Sequence, residues 1–350
     1  MIKRRSSRLI QVGNVSIGGA GNVIVQSMTK TDTRDIKATL YQIAQLADSG
    51  CETVRIAVPD MEASQALANI KKKAPIPIIA DIHFDHRLAI ASLENGVDQV
   101  RFNPGNIQNP EHVTAIVQTA KERSIPLRIG VNAGSLAHDR NETNLASKMS
   151  EAALEQIRLL ESMDFDLIEV SLKASDVITT IEANKAIAEK MPYPLHIGVT
   201  EAGLPKAGSI RSAVGLGTLL YLGIGDTIRV SLTTADPCEE ILAGYEILKS
   251  LELRERGPRL ISCPTCGRCE AHGFYDLANT VEAQLQKMES PITVAVMGCV
   301  VNGPGEARDA DVGLACGKGK GVIFKKGEKV RTVEEPEFLN ALMAEVNAIS

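Results

Sequence analysis

The chain has no tryptophan, and only 3% of its 350 residues are aromatic. Proteins that hold single-stranded nucleic acid stack its bases on aromatic side chains, so that class of function lacks its main tool here. The formal net charge is −5, which removes the broad basic field that draws proteins to nucleic acid. No apolar run is long enough to span a bilayer, so neither nucleic acid nor a membrane is expected as a partner. No acid occurs before Asp32. Even so, the basic start "MIKRRSSRLIQVG" lacks the apolar stretch of an export signal and leads into a strand-like run, so it reads as part of the mature protein. Seven cysteines, an odd number with no export signal, argue for reduced thiols in the cytoplasm. Nucleotide motifs are missing too. "GGAGNV" comes before a strand instead of after one, "GIGDTI" lacks a third glycine, and no P-loop occurs.

What is present is a repeat. Short β-branched runs recur: "NVIVQSMT", "TVRIAVP", "IPIIADIH", "QVRFNP", "PLRIGVN", "LIEVSLK", "PLHIGVT" and "DTIRVSLT". Amphipathic helical segments lie between them, such as "SEAALEQIRLLESM", in which Ala153, Ile157, Leu160 and Met163 recur at helical spacing. Eight such units in about 240 residues predict an α/β fold, an N-terminal (β/α)8 TIM barrel over residues 1–257. An open doubly wound sheet is the competing arrangement. After Pro258 the pattern changes. A helix "DLANTVEAQLQKME", strands "PITVAVMG", "DVGLAC" and "GVIFKK", and a final helix "PEFLNALMAEVNAI" predict a small α+β domain over 258–350. Five of the seven cysteines lie in it, and a unit of this size gains from a metal staple.

Strands of a parallel barrel are covered on both faces and should be nearly all apolar. These are not. Side chains alternate along a strand, and one face carries Thr53 and Arg55, Asp81 and His83, Arg101 and Asn103, and Arg128 and Asn132. It continues with Glu169, Ser171 and Lys173, then His196 and Thr200 with Glu201 just beyond, and finally Arg229, Ser231 and Thr233. The alternate positions are mostly Val, Ile and Leu. The polar face is therefore the barrel interior. A buried cation without a partner costs several kcal/mol, and Arg55, Arg101, Arg128, Lys173 and Arg229 outnumber the carboxylates beside them. An anion is expected there, a diphosphate ahead of a monophosphate on charge grounds. Asp81, His83 and Glu201 are the titratable groups at the same mouth, equally suited to organise hydrogen bonds or to move protons.

In "SCPTCGRCE", Cys263, Cys266 and Cys269 are each separated by two residues, and Cys299 stands alone in "GCVVNGPGEA". Four thiols of this kind suit zinc or an iron–sulfur cluster, or they are plain structural thiols. Spacing does not decide between these. Cys51, Cys238 and Cys316 read as core residues.

Taken together, "SCPTCGRCE", "MGCVVNGPGEA", "RVSLT", "VRFNPGN", "GVTEAG" and "VQSMTKTDT" resemble, in order and over essentially the whole chain, the bacterial 4-hydroxy-3-methylbut-2-en-1-yl diphosphate synthase family. The resemblance implies an oxidoreductase of the non-mevalonate isoprenoid pathway that reductively opens 2-C-methyl-D-erythritol 2,4-cyclodiphosphate. It implies one 4Fe–4S cluster per chain on Cys263, Cys266, Cys299 and Glu306, the glutamate being an exchangeable ligand. It makes Arg55, Arg101, Asn103, Arg128, Asn132, Lys173, Arg229 and Ser231 the substrate-binding set. Asp81, His83, Glu201 and Glu306 become the groups around the reacting atoms, and Cys269 a bystander. It further implies flavodoxin or ferredoxin as electron donor, and a homodimer in which the cluster domain of one subunit caps the barrel of the other.

Overall fold

The computed structural model describes residues 2–107, 109–136, 145–269, 271–299, 305 and 307–349. The chain divides into two compact units, Met1–Arg254 and Glu255–Ser350.

The first unit is a parallel barrel. Its strands are β3 (Ile24–Met28), β4 (Thr53–Ala57), β5 (Ile78–Asp81), β6 (Gln99–Phe102), β7 (Leu127–Asn132), β8 (Ile168–Lys173), β9 (His196–Ile197) and β10 (Thr227–Ile228), ordered β8-β7-β6-β5-β4-β3-β10-β9. A single bridge, Val170 to Leu195, joins the two ends, and the Val170 N–H donates to the Pro194 carbonyl at 3.0 Å. β9 and β10 are only two residues long, shorter than the apolar runs around them suggest. A small hairpin, β1 (Ile10–Val12) with β2 (Val15–Ile17), precedes the barrel, and Ile10, Val12 and Ile17 pack with Ile24 and Ile79.

Eight helices alternate with the strands: α1 (Ile36–Asp48), α2 (Met61–Lys71), α3 (His86–Glu94), α4 (Pro110–Arg123), α5 (Leu145–Glu161), α6 (Val177–Ala188), α7 (Pro205–Tyr221) and α8 (Cys238–Ser250). Their starts are written in the sequence. Asp35, Asp60, Asp85, Asn109 and Asp176 each accept a hydrogen bond from a first-turn N–H of the helix they precede, which satisfies donors that no helical carbonyl can reach. These caps fix the loops at the C-terminal mouth of the barrel, where sites in this architecture sit. Between strands and helices lies one continuous apolar core, including Ile56, Ile78, Val100, Leu127, Val170 and Leu219. Apolar side chains of the strands thus point outward to the helices, and the polar set points inward.

The second unit is a five-stranded mixed sheet, ordered β11 (Arg259–Ser262), β12 (Thr293–Met297), β13 (Val312–Cys316), β14 (Lys320–Lys325) and β15 (Glu328–Glu334). The first three are parallel and the last two antiparallel. Helices α9 (Phe274–Leu285) and α10 (Phe338–Asn347) contribute Phe274, Val281, Leu285, Phe338, Leu342 and Val346 to its core. β11 and β15 go beyond the expected elements. Both are edge strands with largely exposed or half-exposed residues, so the apolar alternation that marks a strand in sequence is weak there.

Candidate active site

Parallel register stacks the inward residues of the barrel in layers. Asp81 is the register partner of Arg101, Arg101 of Arg128, and Arg128 of Glu169, and the tilt of the strands sets successive partners at different heights along the barrel axis. The deeper layer is closed on itself. Arg128 is 1% exposed. Its Nε donates to Glu169 Oε2 at 2.7 Å, Nη1 to Gln26 Oε1 at 2.8 Å and Nη2 to Gln99 Oε1 at 2.7 Å. Gln99 in turn donates to Glu169 at 2.9 Å, and Gln26 to Thr53 at 2.8 Å. All three guanidinium nitrogens are therefore committed to protein. Arg128, expected to grip the anion, here links side chains of five strands. Gln26 and Gln99, uncharged polar residues on the inner face, were the signal in the sequence that this Arg already has partners.

The layer above is open in charge. Arg101 Nη1 donates to Asp81 Oδ1 at 3.2 Å and Nη2 to the Gly130 carbonyl at 3.4 Å. Arg55 Nη1 lies 3.8 Å from Asp81 Oδ2, and its Nε is 3.2 Å from Met28 Sδ. One carboxylate thus answers two guanidinium groups. Burial pushes the Asp81 carboxyl up, but Arg55, His83 and Arg101 together outweigh it and hold the group well below the usual carboxylate range. A carboxylate depressed in this way is lost only as pH falls through the acid range, so Asp81 is a fixed anion at neutral pH and not a proton donor. Burial pulls Arg55, Lys173 and Arg229 below their ordinary values. Arg229 Nε is buried without a hydrogen-bond partner, and Glu240 and Asp81 are the carboxylates that favour its charge. Four basic side chains, Arg55, Arg101, Lys173 and Arg229, thus face very little negative charge.

Two glycines make the room. A Cβ at Gly130 would lie 2.3 Å from Arg101 Nε and 2.6 Å from Nη2. One at Gly198 would lie 3.0 Å from Lys173 Nζ and 2.7 Å from the Arg229 carbonyl oxygen. Neither role shows in the sequence, because each glycine serves a side chain on another strand. Gly130→Ala is expected to displace the Arg101 guanidinium at a cost of about 1–3 kcal/mol, weakening inorganic diphosphate binding by roughly tenfold or more. Calorimetric titration beside an unchanged circular dichroism spectrum checks this.

The rim holds the remaining expected residues. Asn103 is buried, accepts from Gly105 N and Gln156 Nε2 at 3.1 Å each, and donates to Asn106 at 3.3 Å, so it shapes its own loop. Asn132 and Ser231 are half-buried. His83 is exposed, with Nε2 3.6 Å from Asp81 Oδ2. Glu201 is exposed just past β9 at φ 53°, a left-handed conformation that costs a non-glycine residue about 1 kcal/mol or more and tends to mark functional sites. The barrel thus brings Asp81, Arg55 and Arg101 into direct contact and leaves Glu201 accessible at the mouth.

In the second unit the thiols stand at the C-terminal ends of adjacent parallel strands. Ser262 of β11 is in register with Val296 of β12, and Cys263 and Cys299 follow those strands. The Gly298 N–H donates to Cys263 Sγ at 3.1 Å, and the Cys269 N–H closes a turn on the Cys266 carbonyl at 2.9 Å. A Cβ at Gly298 would lie 2.7 Å from Cys269 Sγ and 3.1 Å from Cys263 Sγ. Gly298 is therefore a cradle for sulfur. Cys269, expected to stand apart, shares that cradle with Cys263, whereas Cys266 is exposed and Cys299 half-buried. Glu306 lies outside the described residues. Among the described residues, no group of three or more His, Cys, Asp or Glu side chains is arranged to hold a metal ion. The donor chemistry, two thiols of the loop after β11 set against a glycine that follows β12, with Cys299 next in the chain, nevertheless fits an iron–sulfur group. Cys51 and Cys316 are buried and their thiols pushed up to about 12, chiefly by burial; they are core thiols.

Family models match both units. The GcpE TIM-barrel domain model matches residues 7–245, and the GcpE protein C-terminal domain model matches residues 259–348. The chain belongs to the GcpE family. Relatives of this GcpE protein include one from Dehalococcoides mccartyi, 60% identical over 350 residues and covering 100% of both chains. Another, from Geobacter sulfurreducens, is 54% identical over 349 residues and covers 99% of this chain and 98% of that protein. Both carry the name 4-hydroxy-3-methylbut-2-en-1-yl diphosphate synthase (flavodoxin). Among solved structures, dihydropteroate synthase from Xanthomonas albilineans in complex with 7,8-dihydropteroate is similar at TM-score 0.52 and 12% identity, covering 70% of the GcpE chain and 98% of that one. At that identity the likeness concerns the barrel fold alone.

Proposed function

We propose that this GcpE protein is an iron–sulfur oxidoreductase that converts 2-C-methyl-D-erythritol 2,4-cyclodiphosphate to 4-hydroxy-3-methylbut-2-enyl diphosphate in the non-mevalonate isoprenoid pathway. Two electrons and two protons enter, the ring C–O bond to phosphate breaks, and one hydroxyl leaves as water. The observation that carries this reading is the excess of basic side chains over carboxylates in the upper barrel layer, in a chain 60% identical end to end to a protein named for a diphosphate product. Residues 1–257 take the substrate. Arg55, Arg101, Lys173 and Arg229, with Asn132 and Ser231 at the rim, receive the diphosphate oxygens, for which Arg forks are suited. Asp81 holds Arg55 and Arg101 in place, Asn103 holds the adjoining loop, and Arg128 stiffens the layer below. Glu201, accessible at the mouth, protonates the departing hydroxyl, and His83, near Asp81, serves as a hydrogen-bond donor.

Residues 258–350 hold one 4Fe–4S cluster through Cys263, Cys266, Cys299 and Glu306. When bound, the cluster supplies the electrons, one at a time. Glu306 is the more weakly held ligand, since a carboxylate is more easily displaced from iron than a thiolate. The names of the relatives favour flavodoxin as electron donor over ferredoxin. The reading includes a homodimer in the cytoplasm. Reduced thiols support that compartment, and no helix among the described residues is long and apolar enough to cross a membrane.

Anaerobic purification tests the cofactor. A brown protein with about four irons per chain is expected. A colourless protein with stoichiometric zinc would instead make the barrel a sugar-phosphate enzyme braced by a structural zinc site, or the chain a non-catalytic metal-binding module.

A further inference from the structure

Lys173 and His196 form a contact that diphosphate binding alone does not require. Lys173 Nζ lies 2.9 Å from His196 Nε2. Lys173 is 8% exposed and His196 is fully buried. That contact is the only hydrogen bond of either side chain among the described residues, and His196 Nδ1 has no partner. Gly198, one strand step beyond His196, leaves the space that Lys173 Nζ and Cε occupy. Two basic nitrogens at this distance hold together only if one donates and the other accepts. The pair therefore carries at most one positive charge.

The surroundings decide how many charges it carries. Arg55 on β4, Arg101 on β6, Arg128 on β7 and Arg229 just past β10 all face it. Of the buried carboxylates, Glu169 on β8 is held by Arg128, Asp81 on β5 by Arg55 and Arg101, and Glu240 on α8 by Lys30, Ser27 and the Leu232 N–H. None has a salt bridge to Lys173 among the described residues. Burial first, and then these arginines, push both Lys173 and His196 well below their ordinary values.

We propose that the Lys173–His196 pair is neutral in the free enzyme and takes up one proton as the anionic substrate arrives, with His196 acting as the positioning residue that sets the charge of Lys173. This rests on the diphosphate reading given above. A permanently charged lysine here would add a fourth cation, beside Arg55, Arg101 and Arg229, to a site with very little negative charge. A pair that charges on demand places the additional positive charge only when phosphate oxygens can answer it. His196 touches no substrate atom in this scheme; it holds Lys173 as acceptor or donor according to the proton count. The sign follows from linkage. Between the lowered value of the free pair and the raised value of the bound pair, substrate binding consumes a proton, so affinity falls as pH rises through that window.

The test is isothermal titration of the cyclodiphosphate into the full-length, cluster-loaded protein without reductant, in buffers of low and high ionisation enthalpy. The wild type is expected to take up about one proton per site at about pH 8. In His196→Gln the amide oxygen accepts from a lysine that is already charged, so binding persists while uptake drops several-fold. Lys173→Met, which is close in shape and cannot charge, removes the uptake and serves if His196→Gln folds poorly. Binding by the wild type with no dependence on buffer overturns the inference. Uptake that persists undiminished in both variants also overturns it. If the wild type shows no binding, the diphosphate reading itself falls and this inference with it.

Discussion

Cys266→Ala is expected to abolish turnover, by about a thousandfold or more, a barrier change of roughly 4 kcal/mol, and to leave affinity for the cyclodiphosphate nearly intact. Cys266 is exposed on the loop after β11 and belongs to neither apolar cluster of its unit, so its loss should not unfold the sheet. If it is a cluster ligand, iron content and visible absorbance fall together with activity. Glu306→Ala is expected to behave differently, keeping most of the iron and losing turnover. Cys269→Ser provides the necessary contrast, because Cys269 shares the Gly298 cradle with Cys263. With ligands Cys263, Cys266, Cys299 and Glu306, Cys269→Ser keeps iron and activity. Loss of iron in Cys269→Ser together with retention in Cys266→Ala would transfer the ligand role to Cys269.

The second large effect divides two arginines that one face of the barrel presents alike. Arg101→Ala should raise KM by about thirtyfold or more, the result of removing one partner of a buried charge-assisted contact worth 2–5 kcal/mol. Its effect on folding should be smaller, since Asp81 keeps Arg55 as a partner. Arg128→Met should do the reverse. It strands Glu169, which is fully buried, and breaks the links to Gln26 and Gln99, so about 3–5 kcal/mol of stability is expected to go. Denaturant unfolding beside steady-state kinetics separates the two. An Arg101→Ala enzyme with unchanged KM would remove Arg101 from the binding set. An Arg128→Met protein as stable as the wild type would contradict the closed-layer reading.

Much of the architecture was legible because its signals are local. The eight β-branched runs, the Asx caps before α1, α2, α3, α4 and α6, and the two-residue alternation of polar side chains all lie within a few residues of one another. The alternation named polar residues of the inner face from β4 onward, but none on β3, where Gln26 faces inward to Arg128. The short lengths of β9 and β10, and the edge strands β11 and β15, were not legible. Pairing with a neighbour defines them, and their own residues do not alternate strongly.

The sequence by itself determined a parallel barrel with a cationic interior, followed by a small cysteine-bearing domain, because periodicity and residue type are properties of the chain alone. Only the tertiary structure decided which cations are free. Alternation assigns a side chain to a face but not to a height along the barrel axis, and height depends on register between strands distant in sequence. That register encloses Arg128 among Gln26, Gln99 and Glu169, sets Arg101 against Gly130, and brings Lys173 to His196. In the second unit, the same physics, a glycine on one strand end facing sulfur from another, places Cys269 rather than Cys266 beside Cys263.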